Sequence, residues 1–407
     1  MSSRIPRTAQ IVPAYQEGQV IQVTTVDVAH GGWCVARPDD GPVVFVRHAL
    51  PGETVRARIT EVTSRLARAE AVEILAASPD RVEAPCPHAR PGGCGGCDRQ
   101  HATLPAQRAL KAAVLRQQLR RLAGLDREVI VEPLPGDEEP GTGLGWRTRV
   151  QFAVRPDGVA GLRAHRSHEV IDIGECLIAQ PGITELGLPA RRWPGTSSLE
   201  ALVATGSGER AVIVGGAERS GPESSALPDI PGADAVLRRS GPLNPLKPSN
   251  RRLTPVRGRA YLSQRAAGRD WRVSAGAFWQ VHPGAADALT GAVMTALEPR
   301  PGDVATVLRR DGSRVQSGAG GAALPPARLV VADPPRSGLA RAVIEYLGTA
   351  EHGAARFAYV SCDPATLARD IGLLTARGWV LAGLRAFDAF PMTHHIECVA
   401  TLLRDPA

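Results

Sequence analysis

The chain has 407 residues, 43% of them apolar and 22% charged. At roughly 100–200 residues per domain this length suits two to four domains, and the composition excludes both a largely disordered chain and a small disulfide-stapled module. Lysine plus arginine outnumber aspartate plus glutamate by 48 to 41, a net charge of +7 that permits a polyanionic partner without requiring one.

The N-terminal MSSRIPRTAQIVPAYQEG lacks the apolar core of a secretory signal, and no run of about 18 apolar residues follows it, so a cytoplasmic protein without membrane spans is expected. Residues 17–76 alternate short β-rich runs with turns: GQVIQVTTVDVA, GGWCVAR, PVVFVRHAL, ETVRARITEV and LARAEAVEIL. Five short strands punctuated by Gly31-Gly32 and Pro51-Gly52 predict a small barrel of the OB type. Arg56, Arg58, Arg65 and Arg68 stud its later strands. Such a basic barrel suits nucleic acid, although arginines also solvate the outer face of barrels that bind nothing.

Three cysteines then fall within twelve residues, Cys86, Cys94 and Cys97, in a glycine- and proline-rich loop. With seven cysteines and no secretory signal, metal or thiol chemistry is a better reading than a disulfide framework. Thiolates at this spacing serve zinc or an iron–sulfur cluster, and Cys176 in HEVIDIGECLIAQ is the available fourth soft ligand. Three near ligands and one distant favour iron–sulfur over the paired spacing of a zinc ribbon. His88 and His101 flank the loop and read as surface histidines.

Residues 105–123 place Leu110, Val114, Leu115, Leu119 and Leu122 on one stripe and stop at Gly124, predicting an amphipathic helix with a basic back. WRTRVQFAV at 146–154 is strand-like, and the Gly/Pro/Ser-rich stretch 182–250 has no readable order. WRVSAGAFWQV and a helical PGAADALTGAVMTAL follow. From 329 the pattern becomes α/β: LVVADPP, ARAVIEYLG, FAYVSCDP, ATLARDIGLLTARG, WVLAGLRAFDAFP and HIECVATLLR. Chemistry collects at strand ends in such sheets. Asp333 ends one strand ahead of two stiffening prolines. Cys362 ends another just before a helix start, where the helix dipole favours a thiolate.

Cys86, Cys94, Cys97 and Cys176, the DPPR at 333–336, the SCDPATLARD around Cys362 and the FPMTHHIECVATL around Glu397 together resemble the RNA uracil-5 methyltransferase family. The resemblance covers residues 17–302 and 329–403, and the barrel resembles the TRAM domain found in many members. It implies a TRAM barrel over 1–78, a central α+β iron–sulfur domain over 79–270 on whose C-terminal neighbour the helix 105–123 packs, and a class I, Rossmann-like α/β methyltransferase domain over 271–407. It further implies a 4Fe–4S cluster, structural or RNA-positioning, on the four cysteines. S-adenosyl-L-methionine would contact Gln280, in FWQVHP, and Asp333. The implied partner of this monomeric protein is RNA, 23S ribosomal RNA before transfer RNA.

By the same resemblance Cys362 attacks C6 of a flipped-out uracil, making C5 nucleophilic enough to take a methyl group, and Glu397 removes the C5 proton so that Cys362 can leave. His282 stands where asparagine is usual, and Arg147 and Arg149 fall where the family's central domain is basic. Cys34 and Cys398 read as packing residues.

Between Gly302 and Leu329 the pattern breaks, for similar proteins have a first strand, a DLYCGxG turn and further units there. A βαβ unit needs roughly 30 residues or more, and positions 303–328 hold 26. The donor-binding glycine motif is therefore expected to be deleted and the domain truncated. SGAGGAA at 317–323 reads as a flexible splice, since no buried strand precedes it. Leu329–Ala332 would then lack a neighbour unless DVATVLRR at 303–310, or another chain, fills in. The alternative is a degenerate member that binds RNA without methylating it.

Overall fold

The computed structural model describes residues 15–404 apart from 40, 138–140, 217–226, 228, 241–251, 309–326 and 350–352. The N-terminal strands β1 (Val20–Ala29), β2 (Trp33–Ala36), β3 (Val43–Arg47), β4 (Thr54–Val62) and β5 (Leu66–Ala76) form a closed barrel in the order β1-β2-β3-β5-β4. Alternation sets the inside: Val55, Ala57 and Ile59 of β4 are buried, while Arg56 and Arg58 between them face out. Two of the four barrel arginines are spent on carboxylates, Arg56 on Glu73 and Arg68 on Glu61.

Helix α1 (Leu104–Gln118) follows the cysteine loop, capped by Thr103, and ends in a π-helical turn at 119–123 before the left-handed Gly124. The expected stripe holds for Val114, Leu115 and Leu119, but the wider π turn rotates Leu122 off it, and Leu122 is exposed. Nor is the back of the helix uniformly basic, for Lys111 is buried on the core side.

A seven-stranded sheet comes next, built from β7 (Arg149–Val154), β8 (Ala160–Arg163), β9 (Val170–Ile171), β10 (Thr196–Val203), β11 (Arg210–Gly216), β12 (Ala235–Ser240) and β13 (Arg252–Arg257), in the order β13-β12-β11-β10-β7-β8-β9. A short helix α2 (Pro181–Thr184) leads into β10. The stretch that had no readable order supplies the middle of this sheet. Leu199, Ala201 and Val203 pack on one face and Leu202 and Ala204 on the other, so β10 and its continuation carry no period-two signal. A hairpin of β14 (Tyr261–Ala266) and β15 (Arg269–Ser274) runs through position 270.

The C-terminal sheet is a three-layer α/β arrangement. Its strands are β6 (Val131–Glu132), β16 (Ala305–Leu308), β17 (Leu329–Ala332), β18 (Arg356–Ser361), β19 (Trp379–Phe387) and β20 (Glu397–Arg404), ordered β16-β17-β18-β20-β19-β6. β16, β17 and β18 are parallel, and β20 runs antiparallel between β18 and β19. Helices α1, α4 (Arg341–Gly348) and α5 (Pro364–Thr375) cover one face, and α3 (Ala285–Leu297) covers the other. Residues 104–132 thus contribute a helix and an edge strand to this sheet from before the seven-stranded one.

Leu329–Ala332 does not lack a neighbour: the DVATVL segment pairs with it as β16, from Ala305↔Leu329 to Leu308↔Ala332. Pairing one more strand keeps Leu329, Val330 and Ala332 buried and moves the edge outward, where Val307 is exposed. The glycine-rich 317–323 lies outside the described residues.

Candidate active site and cysteine cavity

Cys362 and Glu397 come from two neighbouring strands. Ser361 of β18 is the register partner of Cys398 of β20, so the next step outward places Cys362 opposite Glu397. Cys362 is half-buried, and Glu397 is 6% exposed. Asp333, half-buried, ends β17 at the same edge of the sheet, one strand further over. The three strand-end residues therefore collect together. Gln280, half-buried, comes from the stretch joining β15 to α3.

Cys362 stands one residue before the cap of α5. Asp363 is the N-cap of α5 and accepts from the amides of Ala365 (3.0 Å) and Thr366 (2.8 Å), so the first helical donors serve that carboxylate. Burial alone would raise the Asp363 pKa, but His30 and the Thr366 amide bring it down to about 2. His30 sits in the turn after β1, its Nε2 3.3 Å from Asp363 Oδ2, so the barrel reaches the residue beside Cys362.

The loop after Asp333 is fixed by Asp370 of α5, fully buried. Its carboxylate accepts from the Leu339 amide (2.7 Å), the Tyr359 hydroxyl (2.7 Å) and Arg369. Gly338 is required there: its φ is +80°, and a Cβ would lie 2.5 Å from Asp370 Oδ2. Burial, then the Asp370 charge, pushes the Tyr359 hydroxyl far above the ordinary range. None of this was readable from spacing, because Asp370 sits inside a helical pattern as an ordinary polar position.

His282, 3% exposed, donates from Nε2 to Asp137 Oδ2 (2.7 Å), accepts the Gly284 amide at Nδ1 (3.2 Å) and stacks on Trp146 with centroids 5.8 Å apart. The ring thereby supplies one donor and one acceptor in place of an amide. Arg149 is committed to Glu200 and the Ala277 carbonyl.

Cys86, Cys94, Cys97 and Cys176 line one cavity of about 290 Å³, together with His88, His165 and Arg147. Among the described residues no three His, Cys, Asp or Glu side chains stand at the spacing of a single metal ion. The donor set and the room suit a polynuclear iron–sulfur group, which takes four thiolates. Burial raises the thiol pKa values of Cys94 and Cys176 and pushes Cys97 up to about 12, so a metal group held here would have to displace protons. Arg147 is desolvated beside Cys176 and Cys97 and offers a compensating charge. His101 is no surface residue: it is 6% exposed, and its ring contacts the Ala49 carbonyl. Cys34 and Cys398 are buried in the barrel core and in the core of the α/β sheet.

Comparison with known proteins bears on the barrel and on the C-terminal α/β domain. The family model described as TRAM domain matches residues 15–72, and the one described as tRNA (Uracil-5-)-methyltransferase matches residues 326–405. An uncharacterized RNA methyltransferase of Streptomyces avermitilis is 45% identical over 95% of this chain and 98% of its own length. The 23S rRNA (uracil(1939)-C(5))-methyltransferase RlmD of Halomonas elongata is 30% identical over 92% of this chain and 88% of its own. The crystal structure of Pyrococcus abyssi tRNA (uracil-54, C5)-methyltransferase in complex with S-adenosyl-L-homocysteine superposes with a TM-score of 0.66 at 19% identity, covering 94% of this chain and 99% of that one, and shares its fold.

Proposed function

The chain belongs to the S-adenosylmethionine-dependent RNA uracil-5 methyltransferase family, and on that footing we propose that it methylates C5 of a uridine in RNA through a covalent adduct at Cys362. The observation that carries the reading is the register that sets Cys362 opposite Glu397 at the open end of β18 and β20. The Cys362 thiolate adds to C6 of uracil, and the electron pair displaced from the C5–C6 bond makes C5 a nucleophile. S-adenosylmethionine supplies the methyl group, C5 takes it, and Glu397 removes the C5 proton. The electrons of that C–H bond restore C5–C6 and expel the Cys362 thiolate. The base must first leave its stack, which costs less in an RNA loop than in a duplex.

Ribosomal RNA is favoured over transfer RNA as substrate, in line with the Halomonas relative, whose name specifies 23S rRNA. We assign a 4Fe–4S cluster to Cys86, Cys94, Cys97 and Cys176, where it would cross-link the cysteine loop to the strand-rich domain.

Gln280 and Asp333 are assigned to the methyl donor, whose site we read as shortened. β16, β17 and the 20 residues that join them span 305–332, about the length of one βαβ unit, which leaves room for a single crossover and none for the further units of similar proteins. Alignments with two Streptomyces relatives run over 437 and 445 positions against 407 residues here, so those relatives carry some 30 or more residues without a counterpart. The second reading, an RNA-binding member without methyl transfer, is not favoured by relatives that are named as RNA methyltransferases.

Calorimetric titration of anaerobically purified, cluster-loaded protein with S-adenosylmethionine, followed by methyl transfer to 23S rRNA and tRNA transcripts, tests the proposal. Micromolar binding and transfer to C5 are expected. Absence of donor binding in a protein that still binds RNA would overturn it in favour of the second reading.

A further inference from the structure

Three parts of the molecule meet at one carboxylate. Asp98 follows Cys97 in sequence, and its side chain is 8% exposed. Arg47 of β3 donates to Asp98 Oδ1 at 3.1 Å, and His394 donates from Nδ1 to Asp98 Oδ2 at 2.6 Å. The amides of Asp98 and Arg99 both donate to the Met392 carbonyl, at 3.0 and 2.9 Å. From the other side, the Met392 amide donates to Gln107 Oε1 at 2.8 Å, and Met392 itself is held at a φ of +68°, a conformation that non-glycine residues adopt only under constraint. Gly32 of the barrel closes over the junction so tightly that a Cβ would lie 3.2 Å from Asp98 Cγ and 3.3 Å from His394 Nδ1.

The segment held in this way, 388–396, leads directly into Glu397. Phe387↔Glu397 is the outermost pair of the β19–β20 ladder, which holds the Glu397 backbone from the β19 side. On the other side its position is set by the loop, and the loop is fastened to the residue next to Cys97. Residues 86–97 contain no helix or regular strand and are rich in glycine, so their order has to be imposed by cross-links and contacts rather than by a backbone ladder.

We propose that Asp98 is a positioning residue: with His394 it holds the 388–396 loop so that Glu397 faces Cys362, and it makes the order of that loop depend on ligation of the cysteine loop. The inference rests on the reading of the four cysteines as cluster ligands and of Glu397 as the base. Arg47 adds the barrel to the same lock, so three domains converge on Asp98, at the foot of the loop that leads into Glu397.

Hydrogen–deuterium exchange read by mass spectrometry on the full chain tests this, comparing cluster-loaded wild type, chelator-stripped wild type and Asp98→Asn in both states. His394→Gln, whose ring is a quarter exposed, removes the same bond from the other end and is measured in parallel in case Asp98→Asn fails to fold. Loss of a charge-assisted bond is expected to speed exchange in peptides covering 389–397 by about tenfold. Stripping the cluster should do the same in wild type, add nothing in the variants, and leave barrel peptides unchanged. With uridine-tritiated RNA, both variants should keep covalent capture by Cys362 while releasing the C5 tritium about tenfold more slowly. Unchanged exchange in both variants, or a stripping effect as large in the variants as in wild type, would overturn the proposal. Wild-type protein that transfers no methyl group would instead count against the enzymatic reading and leave the exchange result intact.

Discussion

Lys111 and Asp388 form an ion pair shut away from water, each side chain 2% exposed, and Lys111 also donates to the Phe390 carbonyl at 3.0 Å. The pair ties α1 to the segment that follows β19, bridging 277 positions of sequence. Burial pulls the Lys111 pKa down, and the Asp388 charge works against that fall. Removing one partner leaves an uncompensated buried charge, so Lys111→Met is expected to cost about 3–5 kcal/mol of stability. The double variant Lys111→Met/Asp388→Asn should recover much of it. Urea midpoints of the three proteins measure this, and equal midpoints for wild type and the single variant would refute it.

The roles assigned to Cys362 and Glu397 separate cleanly in the laboratory. Cys362→Ala has no nucleophile, so neither methylation nor an SDS-stable RNA adduct should form. Glu397→Gln retains the nucleophile but not the base, so turnover should fall by at least about 100-fold while the adduct accumulates. Turnover at the wild-type rate in either variant contradicts the mechanism.

The sequence was most legible where one face is buried and least where both are. β4 alternates from Val55 to Ile59 and is read at once as a barrel strand, whereas β10 is buried on both sides and loses the signal. The same limit applied to polar groups. Cys362 and Glu397 stand in motifs, but Asp98, Asp370 and Lys111 act through partners 296, 31 and 277 positions away, or nearly adjacent in space to several elements at once. Such pairings exist only after folding, and an aspartate inside a helical pattern carries no mark of them. At the start of α5 the residue after Cys362 is the cap: Asp363 takes the amides of Ala365 and Thr366, a pairing that the position of Cys362 before a helix does not reveal.

A buried histidine, His101, and a half-buried one, His48, at the barrel seam give the protein an acid-sensitive side. Burial first, then Arg47, lowers the His48 pKa to about 3; burial first, then Arg81, lowers that of His101 to about 3. The unfolded chain binds these protons near pH 6.5 and the folded chain does not, so the contribution is fully present above about pH 6.5 and is lost as pH falls toward 3. Within that window each histidine costs about 1.4 kcal/mol per pH unit. His101→Gln should therefore show a smaller drop in urea midpoint than wild type between about pH 7.5 and pH 5.5. An equal drop in the two proteins would remove His101 from the account.

The cysteine cavity makes a prediction that distinguishes a cluster from four ordinary thiols. Cys176 comes from some eighty residues beyond Cys97, yet all four sulfur-bearing residues line one space with Arg147 at its wall. If they hold a 4Fe–4S group, anaerobic protein should carry about four irons and matching sulfide per chain, and Cys97→Ala and Cys176→Ala should both lose them. Buried thiols without ligands would instead make the alanine variants differ only by lost packing. Such a cluster would join residues 86–97 to the strand-rich domain, so a chelator should lower the melting temperature of wild type to that of Cys97→Ala and leave the variant where it is. One zinc per chain, or metal content unchanged in both variants, would refute the assignment. A chelator effect of equal size in wild type and variant would show that the metal lies elsewhere.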